Sequence, residues 1–416
     1  MNSKHDVLII GGGPIGLSCA YYLLKSGRKV TILDAKEIGK GSGSGNAGHI
    51  VPSHIIPLAA PGVVTSALKW MLDPKNSPFG LKIRLDPKYI WWLIQFAAAC
   101  NEANVQRALE PMKSLGQLSA DNFAKIIAEE KFECHYRQTG FLNLYKNQNA
   151  FDEGRHEAKF MQKHGIPVEV YDKSRVGEVE PAVREDVLGG MHFTSDAHLN
   201  PAIFLQLLGE RLRAMGAEVF ENTPVTGFES AGEKIRVVKT RVGKFEAEQV
   251  ILAAGAWSPI VARDLRLDIP VQPARGYSLT ASAIKHMPRQ ALILGDRRVA
   301  VSPFGDLLRV TGRLEVGEFS TMPNPRWIQR LENFAREYIQ LDEKLDIQET
   351  WAGLRPVTPD GMPIIGRSPL YSNLTVATGH AMLGLSLGPG TGQVVAELVN
   401  GRETAFDLNP LRVERF

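Results

Sequence analysis

Two sets of residues in this 416-residue chain have types and spacings that could do chemistry. The first is Gly11-Gly12-Gly13-Pro14-Ile15-Gly16, entered from the apolar run Val7-Leu8-Ile9-Ile10. It is followed by a helical stretch with Ala20, Leu23 and Gly27, and then by Val30-Thr31-Ile32-Leu33-Asp34-Ala35. The pattern is strand, glycine turn, helix, strand, acid. Gly11 permits the tight turn, Gly13 lets the backbone approach a pyrophosphate, and Gly16 lets helix and strand pack closely, so phosphates rest on the helix N-terminus. Asp34, with Ala35 beside it, is placed to hydrogen-bond a ribose 2′-hydroxyl. The second set centres on Arg355, in Gly353-Leu354-Arg355-Pro356. A guanidinium is a planar fork that pairs bidentately with a carboxylate and so fixes orientation as well as charge. Its rigid, apolar surroundings are out of place for a solvated arginine; the alternative is an arginine that pins the C-terminal segment.

The elements that must position these residues follow from pattern. Gly43-Ser44-Gly45-Asn46-Ala47-Gly48 also fits GxGxxG, but no apolar strand precedes it, so one dinucleotide fingerprint is expected and not two. Residues 57–80 read as an irregular excursion, and 86–165 as largely helical. Asn200-Pro201 opens a further helix as N-cap and first-turn proline. Residues 235–252 alternate like paired strands and end in Ala253-Ala254-Gly255, where small side chains would let a second backbone segment approach the nucleotide. Residues 271–313 are strand-rich, 325–341 helical, and the last 65 return to strand, turn and helix. A dinucleotide domain built from separated pieces, with a second domain inserted, is implied.

Composition excludes several classes. With 44% hydrophobic and 22% charged residues the chain is that of an ordinary globular protein, long enough for two associated domains. A net charge of +3 gives no case for a nucleic-acid partner. Cys19, Cys100 and Cys134 match neither a disulfide framework nor a CxxC metal site; no metal is expected, and a reducing, cytoplasmic setting suits them. Val7–Ile10 is too short for a signal-peptide apolar region, and no run approaches a spanning helix. Tyr89–Ala99 is apolar nearly all round, which points to a buried helix, with a peripheral membrane contact through Trp91 and Trp92 as the alternative.

The C-terminal motifs make a resemblance specific. Gly353–Pro356 is followed by Thr378-Gly379-His380-Ala381-Met382-Leu383-Gly384-Leu385-Ser386-Leu387-Gly388-Pro389-Gly390-Thr391-Gly392. Together with the N-terminal fingerprint, Ser44–Gly48, Ala253–Trp257 and Arg275-Gly276-Tyr277, they make the chain resemble the FAD-dependent D-amino-acid oxidase superfamily from residue 6 to about 402. Asn46-Ala47-Gly48 looks most like its bacterial D-amino-acid dehydrogenase branch. The resemblance implies an α/β fold: a Rossmann-like FAD-binding domain from segments 1–85, 185–265 and 345–416, with an inserted α+β substrate domain, a mixed sheet plus helices, from 86–184 and 266–344. It implies FAD held by Gly11, Gly12, Gly13, Pro14, Ile15, Gly16, Asp34, Ala35, Ser44, Asn46, Ala47, Gly48, Val225, Ala254, Gly255, Gly384, Leu385 and Ser386. No cysteine follows Cys134, so the flavin should be non-covalent.

The implied reaction is oxidative deamination of a small D-amino acid, cyclic ones such as D-proline or hydroxy-D-proline included, by hydride transfer to flavin N5. The product is an imino acid or 2-oxo acid, and the electrons go to a quinone or other carrier. Arg355 would hold the carboxylate. The 384–392 segment reads as a helix start whose amides could stabilise negative charge on the reduced flavin. His49 and His380 border the flavin motifs, either as scaffold or as ring partners. Tyr277 is either a carboxylate cap or a core residue. Ala381-Met382-Leu383 is apolar where glycine-oxidase-like members carry a base, which favours a bulkier substrate. The rivals are a glycine or sarcosine oxidase using oxygen and an FAD-binding tRNA-modifying or assembly protein; the even balance of 48 basic and 45 acidic residues speaks against the latter. Gly384-Leu385-Ser386-Leu387-Gly388 mimics a hydrolase elbow, but no histidine follows His380 to serve it.

Overall fold

In the computed structural model, which describes residues 4–71, 73, 77–282 and 284–416, the chain is organised around two large sheets. Of the expected segments, residues 1–3, 72, 74–76 and 283 lie outside the described residues. The first sheet has eight strands. Glu218–Phe220, Val30–Leu33, Lys4–Ile10, Lys244–Leu252 and Leu374–Thr378 run parallel in that spatial order, with antiparallel additions at Val225–Ala231, Lys234–Thr240 and Ile364–Arg367. Val7, Leu8 and Ile9 are all fully buried, which explains their unbroken apolar run: a central parallel strand is covered on both faces. Helix Pro14–Lys25 packs on one face with Pro201–Ala214 and Gly388–Val399. Asn200 caps the second of these, its Oδ1 accepting from the amides of Ala202 and Ile203.

The second sheet has nine strands, mostly antiparallel, in the order Asp346–Val357, Gln272–Ser282, Leu307–Val316, Val299–Phe304, Ala291–Leu294, Phe141–Tyr145, Gly189–Phe193, Val168–Asp172, with Phe79–Leu81 added along Leu307–Val316. Gly189–Phe193 and Asp346–Val357, next to the boundaries expected at 185 and 345, thus pair in this sheet. Helix Pro325–Tyr338 covers one face with Trp327, Ile328, Leu331 and Phe334. The opposite face meets residues 42–49, the link between the sheets.

Two local expectations are corrected. The 57–80 excursion contains a helix, Val63–Met71, because Ala67, Leu68, Lys69 and Met71 are good helix formers and the prolines on either side bound the helix rather than enter it. Helix Pro87–Ala99 is not wholly buried. Tyr89 and Trp92 face the protein, while Ile90, Trp91 and Ile94 are exposed, at 58% for Trp91.

Candidate active site

The first end of the site is built from missing side chains. Gly11 has φ of +110°, and a Cβ there would stand 2.5 Å from the Ala253 carbonyl oxygen, so the turn and the end of strand Lys244–Leu252 touch backbone to backbone. A Cβ on Gly16 would stand 1.8 Å from the Gly11 oxygen. Gly13, by contrast, has nothing within 4 Å of its Cβ direction, and as N-cap it offers no side chain to the first-turn amides of helix Pro14–Lys25. An open approach to uncapped amides is what a pyrophosphate needs. Asp34 is fixed by two backbone donors, Gly12 to Oδ2 at 2.6 Å and Lys36 to Oδ1 at 2.7 Å, and burial raises its carboxyl pKa against those bonds. A carboxylate so held keeps lone pairs for a ribose hydroxyl. The Asp34 carbonyl accepts from Thr223, which brings Val225 beside Leu33 and Ala254 in one apolar cluster. Pro14 and Ile15 open the helix, Ala35 is exposed beside Asp34, and Gly255 has φ of +56°. These residues fit a bound dinucleotide.

The helix expected from residue 384 begins at Gly388. Gly384, Leu385 and Ser386 form a turn closed by Leu387 N–H to the Leu383 oxygen and Gly388 N–H to the Leu385 oxygen. Pro389 sets this start, because proline is tolerated only in a helix's first turn. Gly388 and Gly392 let the helix lie against Ser18 of helix Pro14–Lys25; a Cβ on Gly392 would be 2.5 Å from the Ser18 backbone. Ser386 Oγ accepts the Val51 amide at 2.9 Å and so joins this turn to the segment after Gly48.

The second end is built from arginines that the fold largely covers. Strands Gln272–Ser282 and Asp346–Val357 pair with Ala274 opposite Arg355 and Gly276 opposite Gly353. The Arg355 guanidinium lies over Gly276, where a Cβ would be 2.2 Å from it, and Nη1 donates to the Arg313 carbonyl at 2.6 Å. That carbonyl is aimed by a β-bulge: the register slips by one between Arg275 and Tyr277, and Arg313 takes φ of +68°, a strained conformation for a residue with a side chain. No carboxylate pairs with Arg355 among the described residues, and desolvation pushes its pKa down to about 10. It is still a cation at neutral pH.

The other expected residues divide. Tyr277 lies in the core under helix Pro325–Tyr338, on the face away from Arg355, and its hydroxyl donates to Glu315 at 2.6 Å; of its two readings this is the packing of a core residue. Glu315 also receives Arg275 at 2.9 Å and Arg313 at 3.2 Å. His49 Nε2 lies 2.9 Å from Ser302 Oγ, with its ring stacked on Phe141. His380 Nε2 lies 3.0 Å from Thr391 Oγ1, and a backbone bridge pairs His380 with Val357, two residues from Arg355. Burial pushes both imidazoles down to a pKa of about 3, so they are neutral. Asn46 Oδ1 accepts the Gly48 amide at 2.6 Å, Ser44 Oγ donates to the Gly41 carbonyl, and the Ala47 carbonyl accepts from Ser302. Trp351 and Arg309 were missed. The Trp351 ring occupies the space a Cβ on Gly45 would need, at 2.1 Å, and Arg309 is discussed below. An arginine inside the apolar strand Leu307–Val316 was the available signal.

The site thus combines a turn that fits a dinucleotide with a largely covered guanidinium that has no carboxylate partner among the described residues. The sequence pattern of the FAD dependent oxidoreductase family, DAO, matches residues 6–398, and the chain belongs to that family. It is 32% identical over 417 aligned residues to a D-amino acid dehydrogenase from Paramagnetospirillum magneticum, covering 99% of this chain and 98% of the relative. Among solved structures, glycine oxidase from Geobacillus kaustophilus superposes with a TM-score of 0.79 at 24% identity over 99% of each chain. L-proline dehydrogenase from P. horikoshii superposes at 0.75 and 21%, over 100% of this chain and 99% of that one. The protein is an FAD-dependent amino-acid oxidoreductase with the mixed α/β architecture of those structures.

Proposed function

We propose that the protein is a D-amino-acid dehydrogenase, with Arg355 as the carboxylate anchor and non-covalently held FAD. The observation that carries the proposal is a desolvated guanidinium with no carboxylate partner, fixed by the carbonyl of a strained residue. Such a cation is costly to bury unpaired, and a substrate carboxylate completes it. The D configuration is supported by the name of the full-length relatives. FAD, when bound, supplies the acceptor for the substrate Cα hydride. The chain's own residues orient the substrate: Arg355 fixes the carboxylate, and His49 and His380, each with Nε2 on a hydroxyl, are made weak bases by burial, so the amine arrives unprotonated. The imino acid formed is hydrolysed by water to a 2-oxo acid and ammonia, except where it is cyclic. Ala381-Met382-Leu383 places no base beside Arg355 and favours substrates larger than glycine, D-proline and hydroxy-D-proline included.

The proposed acceptor is a quinone or another carrier, reached at the cytoplasmic membrane face. No helix among the described residues is long and apolar enough to cross a membrane. The support for peripheral contact is an exposed apolar surface, Ile83, Leu85, Ile90, Trp91 and Ile94, in a 63–99 stretch holding five basic and two acidic residues. The 1–85, 185–265 and 345–416 division remains our proposal for the FAD-binding domain, with strands Gly189–Phe193 and Asp346–Val357 contributed to the neighbouring sheet.

The test is a panel of D- and L-amino acids with an artificial acceptor and, separately, with oxygen alone, on wild type and Arg355→Leu. We expect D-amino-acid turnover with the acceptor, and a loss of kcat/KM in the variant worth roughly 3–5 kcal/mol with flavin retained. Turnover as fast with oxygen makes the protein an oxidase. Equal losses on an amino acid and its decarboxylated analogue remove Arg355 from the site.

A further inference from the structure

We infer that Arg309 is a positioning residue for the cofactor: it sets the peptide orientation of the Ser44–Gly48 loop and so aims that loop's amides at the flavin side. Arg309 stands on strand Leu307–Val316 of the second sheet, only 4% exposed. Its Nη1 donates to the carbonyls of Ser44 at 2.7 Å and Asn46 at 3.2 Å. Nε donates to Thr280 Oγ1 at 2.9 Å, and Nη2 to Glu349 at 3.0 Å. Burial lowers the pKa of this guanidinium, and its one carboxylate partner is half-exposed. Folding therefore bears the desolvation of a cation chiefly to grip two peptide oxygens, which a neutral donor could do at lower cost. The planar guanidinium gives what a single nitrogen cannot: with Nε held by Thr280 and Nη2 by Glu349, Nη1 is fixed in place to donate to both carbonyls.

The consequence is geometric. In a trans peptide the C=O and N–H point in opposite directions. With the 44–45 and 46–47 carbonyls turned to Arg309, the amides of Gly45 and Ala47 point away from the second sheet. Neither amide donates to a protein acceptor among the described residues. Two aligned free amides, with the Gly48 amide already taken by Asn46, form a donor pair for an electronegative edge of the cofactor. The Trp351 ring over Gly45 and Ser302 on the Ala47 carbonyl hold the same loop from the same sheet, so the substrate-side sheet shapes a cofactor-side loop. This inference rests on the family reading that Ser44–Gly48 borders FAD, and not on the identity of the amino-acid substrate.

The test uses holoprotein and its stripped apoprotein. Arg309→Lys keeps the charge but has one nitrogen in place of three, so it cannot bond Thr280, Glu349 and both carbonyls at once; Arg309→Gln removes the charge; Glu349→Gln leaves both carbonyl bonds in place. FAD affinity is read by fluorescence quenching on reconstitution, with the visible absorption and circular dichroism of the bound flavin as the spectroscopic signature. We expect Arg309→Lys to weaken FAD binding about tenfold and shift the flavin bands, Arg309→Gln to weaken it more, and Glu349→Gln to leave both unchanged. A merely structural arginine would lower the melting temperature of apoprotein and holoprotein alike without moving the bands. Unaltered FAD affinity and spectrum in Arg309→Lys overturn the inference. Should Arg309→Gln fail to fold, Arg309→Lys decides alone. If FAD binding responds as expected while no D-amino acid is turned over, the proposed substrate fails and this inference stands.

Discussion

Around Gly16 the molecule has removed atoms; around Arg355 it has covered most of a guanidinium. A Cβ at Gly16 would overlap the Gly11 carbonyl oxygen at 1.8 Å, whereas the Arg355 side chain fills the space above Gly276 and, among the described residues, meets one carbonyl and no carboxylate. The cofactor end works by close backbone approach, with the helix N-terminus of Pro14–Lys25 left uncapped. At the proposed substrate end the feature is desolvated charge, with the Arg313 carbonyl on Arg355 and the Glu315 pairing of Arg275 and Arg313 behind it. The difference teaches where each kind of binding energy comes from. A dinucleotide is recognised by many backbone donors at fixed positions, a small carboxylate by one strong, directional pair.

The comparison predicts that the two ends fail separately. The largest effect is expected at Gly16→Ala. The added methyl meets backbone, which cannot swing aside, so the helix must move off the turn, at about 3 kcal/mol or more. We expect the purified variant to have lost most of its flavin, by absorbance ratio, and to melt lower. A fully flavinated variant with wild-type melting would show that the close approach is not what holds the cofactor.

Glu315→Gln should do the opposite. Glu315 accepts from Tyr277, Arg275 and Arg313; removing its charge, at a cost of about 3 kcal/mol, leaves Arg313 without a carboxylate, while Arg275 keeps Glu318 at 2.9 Å. Through the Arg313 bulge the carbonyl that holds Arg355 should shift. Flavin content should therefore stay while KM for the amino acid rises several-fold more than kcat falls. Loss of flavin in step with KM would join the two ends and break the comparison.

Legibility followed the same divide. Gly11, Gly13, Gly16 and Asp34 are close in sequence, and their chemistry depends on local strand, turn and helix, so spacing alone exposed it. The covered strand position of Arg355 was legible because its glycine and proline neighbours mark a rigid strand. The role of Tyr277 was not, because register decides it: strand alternation puts Tyr277 in the core and Gly276 under Arg355, and only the pairing of Gln272–Ser282 with Asp346–Val357 shows which face is which. Arg309 and Trp351 escaped for the same reason, since their partners Ser44, Asn46 and Gly45 lie more than 250 residues away in sequence. The start of helix Gly388–Val399 was placed four residues early because the glycines of 384–388 look alike, and only Pro389 discriminates.

The smallest expected effect tests the seam between the two ends. Asp196 is fully buried beside the short ladder Ala197–His198, and it accepts from Ser53, whose Oγ lies 2.5 Å away and whose amide lies 3.3 Å away, with no cation paired to it among the described residues. Desolvation raises its pKa from 3.8 to about 7. Between pH 4 and 7 the folded protein therefore holds a proton that the unfolded chain has released, so unfolding loses protons and stability falls as pH rises through that window. Asp196→Asn keeps the shape without the titration. It should change stability little at pH 4 and gain about 1–2 kcal/mol relative to wild type at pH 8, read by urea unfolding at both pH values. Because Ser53 follows the flavin-side loop while Asp196 precedes the ladder, FAD affinity and substrate KM should both hold steady at pH 6. An equal stability difference at pH 4 and pH 8 would mean that Asp196 is ionised in the fold, and the seam would then need a cation that Ser53 and its neighbours do not supply.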